Sequence, residues 1–173
     1  MKYNRHNSAF IDGNNLHLTM INLGWALDYK RFRIYIEEKY HATNAYYFIG
    51  KVPGNEQLYN GLSSYGYNLV FKETLFVSCK GYKGNCDAEL VLEAMKRLDE
   101  YDKAVIVSSD GDFRCLVDHL LSLGKLERVL APCRSGCSIL LRKAAGAKMD
   151  YLDNLRGKLE YKGKEAPHED ETS

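Results

Sequence analysis

Short apolar runs rich in β-branched and aromatic residues alternate with amphipathic helical stretches about five times along this chain. Strands that recur with a helix between them run parallel, and a parallel sheet needs helices on both faces to cover its two apolar surfaces. The strands read as residues 8–12, 44–52, 68–73, 103–108 and 126–131, with a last edge strand at 149–152. Helical spacing runs through 14–23, 29–40, 55–65, 87–101, 113–123 and 138–145, with Asp28 placed to cap the second of these. The stretch 87–101 is the clearest, because Leu90, Val91, Ala94, Met95 and Leu98 form one apolar stripe. Residues 74–85 contain Gly81 and Gly84 and read as a loop with room for a short strand at 75–77. From Tyr161 the chain turns polar, so one domain over 1–160 and a disordered tail over 161–173 are expected.

Composition narrows the classes. Hydrophobic residues make up 45% of the 173, enough for a substantial core, and the formal net charge is only +1. A surface for a polyanion must therefore be a local patch. Lys30, Arg31 and Arg33 on one helix, Arg114, and Arg134, Arg142 and Lys143 near the last helix are its candidates. The cysteines are Cys79, Cys86, Cys115, Cys133 and Cys137, an odd number with no secretory segment ahead of them, which points to the reducing cytoplasm. Only Cys133 and Cys137 lie close together, and no second pair or neighbouring histidine completes a zinc site. No apolar run approaches the ~20 residues of a membrane span.

Four aspartates fall where strands give way to loops or helices. Asp12 closes Ala9-Phe10-Ile11, Asp87 opens the clearest helix, and Asp110 and Asp112 follow Ala104-Val105-Ile106-Val107. The carboxyl ends of parallel strands form the ligand crevice of such a sheet. Each acid alone has a plain structural reading: Asp-Gly pairs make turns, and Asp87 and Asp112 can cap helices. Together, three elements deliver carboxylates to one edge, where their repulsion calls for a hard, oxygen-seeking cation such as Mg²⁺ or Mn²⁺. No Walker spacing accompanies Lys83, and Ser108-Ser109 lacks a nucleophile elbow. His17 and His119 read as packing or surface residues on helices.

Three segments carry a resemblance. Phe10-Ile11-Asp12-Gly13-Asn14-Asn15-Leu16, Lys83-Gly84-Asn85-Cys86-Asp87 and Ser108-Ser109-Asp110-Gly111-Asp112-Phe113 resemble, in order, the three motifs of NYN domains, the LabA-like branch of the PIN-like nucleases. The likeness continues through Leu141-Arg142-Lys143-Ala144-Ala145 and Tyr151-Leu152-Asp153-Asn154-Leu155, and covers residues 8 to 156. It implies a Rossmann-like, three-layer α/β/α PIN-like fold with a mostly parallel central sheet. It also implies a metal-dependent ribonuclease, with Asp12, Asp87, Asp110 and Asp112 at the metal-binding and catalytic positions and Asn15 beside the first acid. Cys86 stands where the family commonly has a small aliphatic residue, and the stretch between Gly50 and Gly81 matches no motif.

The expected chemistry is hydrolysis of RNA, single-stranded by preference, with one or two Mg²⁺ or Mn²⁺ ions activating water. Asp12 and Asp110 are expected to be the firmest ligands and Asp112 the weakest, because capping explains it nearly as well. Asn15, Lys83, Ser108, Ser109 and Arg114 are the candidate contacts to substrate. Homodimerisation stays open. The competing readings are a non-catalytic RNA-binding or regulatory adapter on the same fold, a deoxyribonuclease, and a phosphotransfer receiver. The receiver is disfavoured because the strand taken as the middle one, 68–73, ends in Glu73-Thr74 rather than Asp.

Overall fold

A computed structural model describes residues 6–77, 81–83 and 85–163, with the backbone alone at 75–77 and 81–83. Strand β1 (Asn7–Asp12) leads directly into α1 (Gly13–Asn22), followed by α2 (Tyr29–Tyr40) and β2 (Ala42–Lys51). Next come α3 (Glu56–Ser64) and β3 (Asn68–Glu73), then an antiparallel ribbon of β4 (Leu75–Val77) and β5 (Gly81–Lys83). The chain continues through α4 (Asp87–Lys96), β6 (Ala104–Val107), α5 (Arg114–Ser122), β7 (Leu126–Ala131), α6 (Ile139–Ala145), β8 (Met149–Tyr151) and a single turn, α7 (Arg156–Leu159).

The main sheet has the order β3-β2-β1-β6-β7-β8, and every pairing in it is parallel. Counted among themselves, the six strands lie 3-2-1-4-5-6, the doubly wound order whose winding reverses between β1 and β6. Asn68–Glu73 is therefore an edge strand, which corrects its placement in the middle of the sheet. The receiver reading falls on different ground, because receivers have the order 2-1-3-4-5.

Alternation along the strands splits the core into two layers. Ala9, Ile11, Val105 and Val107 pack with Leu16 and Met20 of α1, Phe32 and Ile36 of α2 and Leu62 of α3. Phe10, Ile106, Phe48 and Val129 face the other way, against Leu90 and Ala94 of α4, Leu116 and Leu120 of α5 and Leu141 of α6. Cys86 is buried in this second layer as a packing residue, and burial pushes its thiol up to about 11.

Differences from the sequence-based boundaries have local causes. The fourth helix ends at Lys96 rather than near 101, because Tyr101 folds back, donates its hydroxyl proton to the Ala94 carbonyl at 2.9 Å and sets its ring edge-on to Phe10. Tyr161 belongs to the folded unit: its amide donates to the Ala26 carbonyl at 2.8 Å, beside an antiparallel bridge between Leu27 and Glu160. The remainder of the expected tail, 164–173, lies outside the described residues, as does Cys79. Among the described residues no helix is long and apolar enough to cross a membrane.

Arg33 corrects the proposed basic patch. It is only 8% exposed, and its guanidinium donates to the carbonyls of Gly66, Ala42 and Thr43 and to Glu37. Three of these acceptors are backbone carbonyls and the fourth is a carboxylate on α2, so the cation is a structural brace between α2 and β2 and is not available to phosphate. Arg33→Met should destabilise the fold by about 3 kcal/mol, since truncation strands buried acceptors. Urea denaturation would read this as a lower midpoint at unchanged slope.

Candidate metal centre

The carboxyl ends of β1 and β6 sit side by side at the winding reversal, with Ile11 in register with Val107. Asp12 follows at the end of β1 and caps α1: its Oδ1 accepts from the Asn15 amide at 3.1 Å, and its Oδ2 accepts from Ser108 Oγ at 3.0 Å. Ser108 Oγ in turn accepts from the Asp110 amide at 3.1 Å. Asn15 Oδ1 accepts from both the amide and the hydroxyl of Ser109, at 3.0 and 2.9 Å. These bonds tie the two strand ends into one rigid edge.

Burial pushes the Asp12 carboxyl above its ordinary value; the Asn15 and Ser108 hydrogen bonds pull it back, and the charges of Asp87 and Asp110 add to the rise. An unfolded Asp titrates near ~3.9. The folded state therefore retains a proton that the unfolded chain has released, so this group favours folding below that pH and loses its contribution as pH rises through the folded value. In EDTA, the stability of Asp12→Asn relative to wild type should rise from about pH 4 towards neutrality, as wild type alone loses the contribution of the buried carboxyl. A difference that stays flat with pH would contradict a strained carboxylate.

The other acids are held differently. Asp110 caps the turn that begins α5, accepting the Asp112 amide at 3.0 Å. Asp112 therefore caps nothing, and its carboxylate accepts no hydrogen bond among the described residues. Nor does Asp87 cap α4: that position belongs to Cys86, and Asp87 is the first helical residue. Its Oδ2 accepts from Asn85 Nδ2 at 2.7 Å, while its amide donates to Asn85 Oδ1. Burial raises the Asp87 carboxyl, Asn85 draws it down, and Asp110, Asp112 and Glu89 push it up again.

One carboxylate oxygen from each of Asp87, Asp110 and Asp112 lies within 4.8 Å of the other two. Asp12 stands beside this group and lines the same cleft as Asp87 and Asp110. The sequence ranks Asp12 and Asp110 first, whereas the grouped oxygens belong to Asp87, Asp110 and Asp112. The two acids explained by capping are Asp12 and Asp110, whereas Asp112, expected to be the weakest ligand, is the least committed to any structural task. Three carboxylates at this spacing supply only oxygen donors and repel one another, a donor set that fits a hard divalent cation and not a soft one.

Of the expected substrate contacts, Ser108 and Ser109 are corrected. They are 0% and 6% exposed, and their hydroxyls are spent on Asp12 and Asn15. Asn15 keeps its Nδ2 without a hydrogen bond among the described residues. Arg114 lies just past Asp112 on the exposed start of α5 and pairs with Asp118 at 3.2 Å, a solvent-screened pair that costs little to break. The Lys83 side chain is outside the described residues. The cleft also draws on the stretch that matched no motif: Gly50, Val52, Asn55, Leu58 and Thr74 line it because β2 ends next to β1. His17, read as a packing or surface residue, lines it too. No local pattern marks these positions, since only strand order brings them to the acids.

The NYN domain family model matches residues 8–149, which contain the whole of this edge. The chain belongs to the NYN domain family. The low amplitude and bright protein LabA of Synechococcus elongatus is 30% identical over 123 residues, 65% of this chain and 66% of LabA, just under two thirds of that relative's length. A crystal structure of a Vibrio parahaemolyticus protein of unknown function superposes with a TM-score of 0.74 at 20% identity, over 92% of this chain and 98% of that one. That likeness supports the three-layer fold alone. This NYN domain accordingly has a PIN-like nuclease fold with an acidic group placed at its ligand crevice.

Proposed function

We propose that this NYN domain is a metal-dependent ribonuclease that hydrolyses phosphodiester bonds at the carboxyl edge of β1 and β6. The observation that carries the reading is the grouping of Asp87, Asp110 and Asp112, two of which serve no capping role. Those three would hold Mg²⁺ or Mn²⁺. When bound, such an ion supplies an acidified water and neutralises charge on the phosphate. Asp12, its basicity raised by burial, is suited to take the proton of the attacking water on a carboxylate oxygen. Asn15 Nδ2 is free to donate to a phosphate oxygen, and Arg114 can turn from Asp118 to the strand as it passes the rim.

The test is incubation of labelled single-stranded RNA with Mn²⁺, with EDTA, and with a DNA strand of the same sequence. Cleavage of RNA that EDTA stops is the expected result. RNA binding without turnover in any divalent metal would instead return the domain to the adapter reading. Metal binding has its own readout. Saturating Mn²⁺ should stabilise the wild type by about 2.7 kcal/mol at a hundredfold excess over Kd, seen as a rise in Tm that Asp87→Asn with Asp112→Asn removes.

A further inference from the structure

The cleft lined by Asp12, Asp87 and Asp110 extends well past them. It encloses about 690 Å³, an ordinary size for an organic ligand and far more than a hydrated cation needs. From the carboxylates it passes over α1 to the end of β2 and the start of α3. Apolar side chains form part of the wall there, interspersed with His17, Thr19, Asn55 and Thr74. Leu18 of α1 and Leu58 of α3 are 50% and 40% exposed, and Ile49 lies on the same cleft. Exposed leucines from two separate elements around one cavity mark a binding surface more than scattered surface residues do. Two amides open onto the same space. Asn14 and Asn55 make no side-chain hydrogen bond among the described residues, and Asn55 heads α3 without capping it.

The outer wall is held rigidly before any ligand arrives. The Tyr59 hydroxyl accepts from the Val52 amide at 2.8 Å and donates to the Gly50 carbonyl at 3.0 Å, and its ring meets Phe71 edge-on at 4.9 Å. Thr74 Oγ donates to the Lys51 carbonyl at 2.6 Å. Such a wall keeps its shape and loses little entropy on binding.

Apolar faces with uncharged amides at the edge suit a flat heterocycle carrying hydrogen-bonding groups on its rim. We infer that the cleft holds an unpaired nucleobase of the strand whose phosphate lies at the carboxylates, with Leu18, Ile49 and Leu58 against its faces and Asn14 and Asn55 on its edge. A base-paired nucleotide has that edge occupied and cannot enter. The inference rests on the nuclease reading for where the phosphate lies, and not for the pocket itself.

The test uses the full chain, a short unpaired RNA, the same RNA with one abasic position, and uridine and adenosine as uncharged probes. Leu58→Glu and Asn55→Ala alter exposed positions, so both should keep the wild-type Tm and its rise with Mn²⁺. Leu58→Glu should weaken binding of the intact RNA about tenfold, and the abasic position should cost a similar factor. Asn55→Ala should change which base is preferred next to the cut. Nucleosides that bind more weakly than the RNA and compete with it support the assignment; nucleosides that bind more tightly than the RNA overturn the strand as occupant. Equal affinity of Leu58→Glu and wild type, or no cost at the abasic position, overturns the pocket. The two readings fail separately. If wild type does not cleave but Leu58→Glu still loses affinity, the pocket stands and the nuclease falls. If Leu58→Glu cleaves with wild-type affinity and preference, the nuclease stands and the pocket falls.

Discussion

Asp110→Asn should reduce Mn²⁺-dependent RNA cleavage by about a hundredfold or more, because it removes one of three carboxylates and several kcal/mol of charge stabilisation with it. The variant is informative because the fold should survive. Asn Oδ1 can still accept the Asp112 amide that Asp110 caps at 3.0 Å, and the backbone amide still donates to Ser108 Oγ. Single-turnover rates at saturating enzyme separate the chemical step from RNA binding. Loss of rate with retained RNA affinity and an unchanged or raised Tm is the expected pattern. Cleavage at the wild-type rate would sink the proposed centre, and cleavage that ignores EDTA would remove the metal from it.

Gly13→Val should destabilise the domain by about 3 kcal/mol or more, through overpacking that no side-chain rotation relieves. A Cβ at this position would sit 2.5 Å from the Phe48 carbonyl oxygen and closer still to the Tyr47 ring. Tyr47 is 2% exposed and packed edge-on between Tyr29 and Tyr67, so it has nowhere to retreat. Phe48 pairs with Asp12 across β1 and β2, so its carbonyl is part of the sheet. Gly13→Val is therefore expected to pull β1 and β2 apart next to Asp12, lowering the urea midpoint and RNA cleavage together. Gly111→Ala is the milder comparison, since the added methyl would press on the Ser138 side chain rather than on sheet backbone, and its relief costs only the bond from the Leu140 amide to the Ser138 hydroxyl. Equal midpoints for Gly13→Val and Gly111→Ala would show that the contact at Tyr47 and Phe48 is not the constraint.

Much of this was legible in the residue order. The second helix runs over 29–40 behind an Asp28 cap, as its spacing and the Asp before it predict. Strands 68–73 and 126–131 appear with the boundaries their apolar runs set. These elements are local: each is specified by its own periodicity and its own punctuation. Arg33 is not legible in this way, for the opposite reason. Its place on an amphipathic helix suggests a solvated cation, and only the carbonyls of Ala42, Thr43 and Gly66, brought from elsewhere in the chain, bury it. For Ser108 and Ser109 the residue order leaves substrate contact and loop bracing side by side, because the partners that decide it, Asp12 and Asn15, lie 94 to 96 residues away.

The acids divide along the same line. Sequence alone determined that Asp12, Asp87, Asp110 and Asp112 stand at the ends of elements, in the order and spacing of the NYN motifs, on an alternating α/β chain. It did not determine which of them meet. Strand order placed β6 against β1, the packing of α4 brought Asp87 to Asp110 and Asp112, and hydrogen bonds drew Asp12 towards Ser108 and Asn15 instead. Motif spacing is a property of neighbours along the chain. Which oxygens a cation can bridge depends on distances of a few ångströms between elements far apart in sequence, and those are set by the packing of the two core layers against the sheet.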